Sequence, residues 1–373
     1  MESGYGKVWL PVERPSKMLK RPAYAIFRSV AVLLLSVATA VGEGEPARTQ
    51  PDITLAAILA HGPWPPPHKP DPTNTLSGNS EAAALGRLLF FDARLSPSGR
   101  AACSSCHRPE KGFADPPRRL SRGVGTSAGK GVGTSQGKGV GTSAEKGVGT
   151  SQETSVELTR RNTPSLLDVR LNTVFGWTGS NPTLWQQTLR PILDPREMGS
   201  SAEHVRAHIS GDPDLAARFR SVTGLDATSR PADDVLVAAA KSLAAYQETI
   251  TSGTTAFDQW RDALATSDHA TAARYPAAAR RGAVLFATSA GCSTCHSGPA
   301  FSDSRRHHIS QRPNTADAIR TPPLRNVART APYLHNGRAP TLLDAVHAHK
   351  NGPRLSQAQA ADIVSFLKTL NAQ

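Results

Sequence analysis

The chain has 373 residues, of which 43 are Lys or Arg and 30 Asp or Glu, a formal net charge of +13; 38% of it is hydrophobic and it holds four cysteines. That apolar share excludes a wholly disordered chain, and the absence of a long apolar run beyond the N-terminus excludes a polytopic membrane protein. The length allows about two domains. The cysteines are too few for a disulfide scaffold of this size, and they fall in two pairs.

Lys17, Lys20, Arg21 and Arg28 form a basic segment, Ser29 to Val41 is apolar, and Ala38-Thr39-Ala40 offers a small-residue cleavage pattern. Residues 1–40 are therefore predicted to be an export signal, which places the mature chain in the periplasm with no stable membrane insertion. An uncleaved anchor is the alternative. Without the six basic and two acidic residues of this leader the net charge is +9. No Arg- or Lys-rich recognition helix or aromatic-interleaved patch accompanies that charge, so nucleic acid is excluded as a partner. A diffuse positive surface fits an acidic soluble partner.

Residues 41–79 are rich in proline (Pro63, Pro65, Pro66, Pro67, Pro70, Pro72) and read as an extended lead-in. A helical pattern follows from Glu81 to Phe91, with Gly86 near its middle, just before the first cysteine pair. Residues 123–154 repeat Gly-Val-Gly-Thr-Ser-x-x-Lys. No strand precedes this repeat and no helix opens from it, so it reads as a flexible surface insertion and not as a phosphate loop. A helix over 233–250 puts Val235, Ala239, Leu243 and Tyr246 on one face. A second glycine-centred helix, Ala278 to Phe286, precedes the second cysteine pair, and Ser356 can cap a closing helix that carries Ile363, Phe366, Leu367 and Leu370. The order helix, cysteine pair, closing helix occurs twice. The fold class expected is mainly α, two like domains in tandem, one over 80–255 and one over 256–373.

The cysteine pairs are Cys103-Ser104-Ser105-Cys106-His107 and Cys292-Ser293-Thr294-Cys295-His296. Cys-x-x-Cys-His attaches c-type haem: two thiols form thioethers to the porphyrin and the adjacent imidazole ligates iron. Structural zinc would leave the histidine after each pair a coincidence. A redox disulfide accounts for one Cys-x-x-Cys but not for two, each followed by histidine. Two covalent haem c groups consume all four cysteines.

The chain resembles the bacterial dihaem cytochrome c peroxidase family, including the MauG-type enzymes. The resemblance is carried by Leu85-Gly86-Arg87-Leu88-Leu89-Phe90-Phe91-Asp92, the two haem motifs, Arg161-Asn162-Thr163-Pro164-Ser165-Leu166, Pro195-Arg196-Glu197-Met198-Gly199, Leu324-Arg325-Asn326-Val327 and Thr330-Ala331-Pro332-Tyr333-Leu334-His335-Asn336-Gly337. It implies Glu197 as the acid–base residue, Gln187 ten residues earlier as the group that orients peroxide, and Trp177 as the aromatic between the haems. The local Phe175-Gly176-Trp177-Thr178-Gly179 departs from the family's Trp-Asp-Gly pattern. Family members in a resting form cap the first haem with a loop histidine. Here no histidine lies between His107 and His204, so the first haem is expected to be open.

The second iron takes Met in ordinary relatives and Tyr in MauG-type enzymes, but no Met follows the second motif here. Counting seventeen residues from Pro332 gives His349, with His335, His347 and Tyr333 as rivals. A second imidazole in place of Met lowers the haem potential. The resemblance also implies one calcium ion, held by Asn162 and by the carbonyls of Thr330 and Pro332, hard oxygen donors suited to it. The resemblance makes the two halves cytochrome c-like haem domains in tandem, an N-terminal peroxidatic domain over 80–255 and a C-terminal electron-transfer domain over 256–373. The activity it implies is reduction of hydrogen peroxide with electrons from a small cytochrome c or copper protein. The alternatives are a MauG-like oxidase acting on a partner protein and a non-catalytic electron carrier.

Overall fold

The computed structural model describes residues 50–115, 161–309, 318–349 and 352–372; the predicted leader and the glycine repeat lie outside the described residues. The helices are α1 Gln50–Leu59, α2 Ser80–Phe91, α3 Cys103–Cys106, α4 Leu184–Leu193, α5 Ala202–Gly211, α6 Pro213–Thr223, α7 Ala232–Glu248, α8 Ala256–Ala265, α9 His269–Ala273, α10 Ala277–Ala287, α11 Leu342–Ala348 and α12 Gln357–Lys368. Among the described residues the strands are two short ones, β1 Arg306–His307 and β2 Ile319–Arg320, paired antiparallel. The mainly helical class read from the sequence holds.

The architecture is one motif built twice. In the first half α2 packs across α7, and in the second α10 packs across α12. Each crossing occurs at a glycine: a Cβ on Gly86 would overlap the Ser242 carbonyl, and a Cβ on Gly282 would overlap that of Asp362. The absent side chain lets the two backbones approach closely. Each half surrounds this crossing with its own core. Leu85, Leu89, Phe90, Val205, Phe219 and Leu243 fill the first; Phe257, Trp260, Phe286, Phe301, Ile363 and Phe366 fill the second.

Local signals set the helix ends. Asn79 accepts from the Ala82 amide to cap α2, and Ser356 with Gln359 forms the capping box that opens α12. The second duplication is in the loops. Asp168 and Asn326 both adopt left-handed backbone, with φ of 58° each. Each ties its segment to the end of its own closing helix, through Asp168 N to Ile250 O at 2.8 Å and Asn326 N to Leu370 O at 2.9 Å.

The extended reading of the lead-in needs correction, because its first part is helix α1. No proline falls between Pro51 and Pro63, and proline in a first helical turn costs nothing. Although first in the described chain, α1 packs on the second half, where Ile58 joins the core of α8 and α10. A buried ion cluster locks this strap. Arg325 binds Asp258 through both Nη atoms at 2.7 and 2.8 Å, gives Nε–H to Pro299 O, and stacks on Trp64 at 3.4 Å. Arg261 bonds both Asp258 and the His61 carbonyl.

Two expected outcomes follow from this packing. Gly86→Ala and Gly282→Ala should each destabilise the protein by at least roughly 1–3 kcal/mol in urea unfolding, since backbone stands where the methyl must go. Asp258→Asn should cost on the order of 3–5 kcal/mol, because the Arg325 guanidinium stays buried without its carboxylate while Arg261 keeps that of Asp262. Burial pushes the Asp258 pKa up, but the bonds from Arg325 and Thr255 outweigh it and leave it below the ordinary value. This group's contribution is therefore complete above the unfolded carboxylate pKa and is lost as pH falls through the lower folded value. Acid unfolding curves of the wild type and Asp258→Asn check the sign.

Candidate functional site

The two Cys-x-x-Cys-His segments are built alike. His107 ends α3 with its amide on Cys103 O at 2.9 Å, and His296 follows a single 3₁₀ turn capped by Cys295, with its own amide on Cys292 O at 2.9 Å. Each imidazole Nδ1 lies 3.0 Å from a carbonyl, that of Phe113 for His107 and that of Phe301 for His296. A carbonyl only accepts, so Nδ1 carries the proton and Nε2 presents its lone pair. Both phenylalanines are left-handed, with φ of 54° and 55°. That conformation turns each carbonyl back onto its histidine. Burial lowers the pKa of His107, and burial with repulsion from His349 takes His296 down to about 4. Neutral imidazoles oriented through Nδ1–H are what an iron site requires. The same burial pushes the Cys103 thiol up to about 12 and that of Cys292 to about 11, which disfavours their thiolates.

Beyond this shared side the two sites differ. His349, at the C-cap of α11, places its ring centroid 6.3 Å from that of His296, inclined by 64°, and its Nδ1 lies 2.8 Å from Ala345 O. One metal between two imidazoles at about 2 Å from each nitrogen puts the centroids roughly 6 Å apart. The pair fits a single iron. Of the rivals, His347 is as exposed as His349, but the ring set against His296 is that of His349; Tyr333 is held by its backbone to Ala339, and the His335 ring meets Trp177 edge-on at 6.4 Å. Among the described residues no aromatic or imidazole ring faces His107.

Gln187 and Glu197 lie at the two ends of one folded-back segment. Gln187 sits on α4, where its Oε1 accepts from Asn181 Nδ2 at 2.6 Å. The chain then reverses after Pro191, with Met198 N on Pro191 O at 3.0 Å and Ser200 N on Ile192 O at 2.8 Å. This turn brings the Glu197 charge close enough to Cys103 to raise its thiol pKa. Burial, then repulsion by Asp194, raises the Glu197 pKa, opposed by Arg190 and Arg196. The glycine-flanked loop around Trp177 is closed by a bridge between Phe175 and Asn181, with Gly176 and Gly179 both at positive φ.

Trp177 and the predicted calcium residues meet at Asn162. The Asn162 carbonyl accepts Trp177 Nε1–H at 2.7 Å, and its side-chain amide faces the carbonyls of Pro332 at 2.6 Å and Leu334 at 3.3 Å. With the amide turned over, three oxygens converge on one point, a donor set suited to a hard cation. Thr330, by contrast, bonds back to Val327 and lies against Gly112. Sequence reasoning missed Leu334 and Asn181. An Asn followed by Pro reads as a turn former, and a carbonyl ligand carries no side-chain signal. A surface groove of about 810 Å³ between α2 and α6 contains none of the predicted site residues.

Twin half-buried imidazoles behind paired cysteines, one of them facing a third histidine, define a dihaem redox protein. The comparisons agree with that class. The family model for di-haem cytochrome c peroxidase matches residues 80–265. The methylamine utilization protein MauG of Methylorubrum extorquens is 32% identical over 322 residues, covering 79% of each chain. The cytochrome c551 peroxidase of Nitrosomonas europaea is 28% identical, covering 78% of this chain and 80% of the relative. The crystal structure of a MauG-like protein associated with microbial copper homeostasis superposes with a TM-score of 0.61 at 25% identity, covering 84% of this chain and 96% of that one. The chain belongs to the dihaem cytochrome c peroxidase family, and it is a dihaem peroxidase, an oxidoreductase acting on peroxide.

The facing imidazoles carry an expected outcome. Ferric protein should show one high-spin and one low-spin haem by EPR, and His349→Ala should convert the low-spin signal to high spin. An unchanged low-spin signal would remove His349 from the second site.

Proposed function

We propose that the chain is an exported cytochrome c peroxidase that reduces hydrogen peroxide to two waters, consuming two electrons and two protons, with a small cytochrome c or copper protein as donor. The two haems would be covalent, through Cys103 and Cys106 in a domain spanning 80–255 and through Cys292 and Cys295 in a domain spanning 256–373. His107 would be the protein ligand of the first iron, and His296 and His349 those of the second. The observation that carries this reading is the asymmetry of the two sites: His296 faces a second imidazole at 6.3 Å, whereas His107 faces none among the described residues. A site with one protein ligand leaves room for substrate, and a site with two is suited to electron transfer.

Bound at these histidines, haem would supply the redox chemistry that splits the peroxide bond. Glu197, ionised, would take the proton from one peroxide oxygen and return it to the departing one. Gln187, with its Oε1 committed to Asn181, has its amide N–H groups left to orient peroxide. Trp177, hydrogen-bonded to Asn162, would offer an oxidisable ring between the halves. A calcium ion at Asn162, with the Pro332 and Leu334 carbonyls, would tie the Trp177 loop to the segment that follows the second motif; the Thr330 carbonyl would be a fourth donor. No described helix is long and apolar enough to cross a membrane.

A second reading is favoured by one observation, the 32% identity with a methylamine utilization protein. In that reading the same site uses peroxide equivalents to oxidise a side chain on a partner protein. The imidazole of His349, where ordinary relatives carry Met, fits it, because a lower potential makes the second haem a poorer store for electrons from a high-potential donor.

Steady-state peroxide turnover with reduced cytochrome c separates the two. The peroxidase reading expects turnover that saturates in donor; donor-independent peroxide consumption with oxidation of an added protein substrate would replace it with the second. Glu197→Gln should lower kcat/KM for peroxide by about 10²–10⁴-fold. Because the Glu197 pKa is raised, the wild-type rate should fall as pH drops through a value above the ordinary carboxylate range, where the base becomes protonated. That acidic limb should vanish in Glu197→Gln, and a pH profile identical to wild type would exclude the assigned role.

A further inference from the structure

Three arginines are buried among the described residues: Arg261, Arg325 and Arg320, at 2%, 3% and 5% exposure. The first two share the carboxylate of Asp258. Arg320 has no such partner. Its Nε donates to Gly176 O at 3.2 Å, and its Nη1 donates to Asn172 Oδ1 and Thr321 O, both at 3.1 Å. Every one of these acceptors is neutral, and among the described residues Nη2 makes no hydrogen bond to the protein. Desolvation alone takes its pKa down to about 10. A guanidinium withdrawn from water is normally completed by an anion, because neutral acceptors do not offset the loss of hydration.

The position says which anion. Arg320 N donates to Trp177 O at 2.8 Å, so β2 runs along the Trp177 loop. The next residue, Thr321, bonds Arg305 and Ser302 of the segment that follows His296. The α-carbon of Gly176, whose carbonyl Arg320 binds, lies against the Gln187 amide: a Cβ there would be 2.8 Å from Oε1. Arg320 thus stands between the two motif-bearing halves, beside groups belonging to each. A second observation points the same way. Arg170, two residues before the Asn172 that holds Arg320, has a buried Nε with no hydrogen-bond partner.

We infer that Arg320 is the counter-ion of a haem propionate: its guanidinium, fixed by Asn172 and Gly176, binds the propionate carboxylate of one haem at the boundary between the halves and raises that haem's reduction potential. The inference rests on the dihaem reading. A positive charge held beside a haem favours the reduced form, whose net charge is lower by one.

Resonance Raman spectroscopy and spectroelectrochemistry of the holoprotein test it. A pyridine haemochrome count of two haems per chain checks the dihaem reading independently. Given that count, Arg320→Gln should move the propionate bending mode of one haem and shift that haem's ferric–ferrous equilibrium about tenfold toward ferric, a fall of about 59 mV for a one-electron couple. Arg320→Lys should leave the equilibrium within about threefold of wild type. Asn172→Asp, which keeps Arg320 and puts a competing carboxylate at the Nη1 contact, should move the same mode. The wild-type mode should also shift on exchange into D₂O. An unmoved propionate mode in any folded variant, or a wild-type mode indifferent to D₂O, overturns the assignment. So does a midpoint that tracks chloride concentration while the mode stays still, since the anion would then come from solution.

Discussion

Two hydrogen bonds set the chemistry of this molecule, those from the Nδ1–H of His107 to the Phe113 carbonyl and of His296 to the Phe301 carbonyl. Each fixes the tautomer of a half-buried imidazole and presents Nε2 as a lone pair. Each also requires a phenylalanine in left-handed backbone, a conformation that costs a non-glycine residue about 1–3 kcal/mol and persists only where its surroundings over-determine it. The surroundings do so in both halves. A glycine crossing holds the opening helix against the closing one, and a left-handed Asp168 or Asn326 ties the following loop to the end of that closing helix.

On this doubled scaffold the functional difference lies on the far side of each imidazole. In the second half α11 delivers His349 opposite His296, and in the first the reversal after Pro191 delivers Glu197 toward Cys103 while α4 carries Gln187. One duplicated fold therefore supports two unlike sites without any change in how the histidine is oriented. Glu197, the proposed proton-handling group, and His349 thus come from different halves. This is the division of labour expected of an enzyme that both stores electrons and delivers them to a substrate.

Between the halves the polar contacts are dense. Asn162 joins Trp177 to the 332–335 segment, and Arg320 joins the Trp177 loop to the segment after His296. The Asp258–Arg325–Trp64 cluster fastens the lead-in to the second half. Such contacts cost desolvation and gain direction, so they fix positions that apolar packing alone would leave adjustable. A Trp held through its Nε1–H has one orientation.

Much of this was legible in the sequence. The two Cys-x-x-Cys-His motifs, the glycine-centred helices before them and the apolar faces of α7 and α12 are local patterns, and local patterns survive in any one-dimensional reading. The absence of Met after the second motif and of His between His107 and His204 bore directly on the iron sites, because an absent residue type cannot be supplied by folding. The helix hidden in the proline-rich lead-in escaped notice because prolines on either side masked a short proline-free run. The count from Pro332 points to His349 along the chain, but only the tertiary structure brought Asn181 to Gln187 and Leu334 to Asn162. It also left Arg320 buried without a carboxylate. These pairings join residues whose relation depends on how loops close between helices, and no spacing along the chain encodes that. The sequence by itself determined which ligands the protein owns. The packing of two glycine crossings and the loops they hold decided which of those ligands meet.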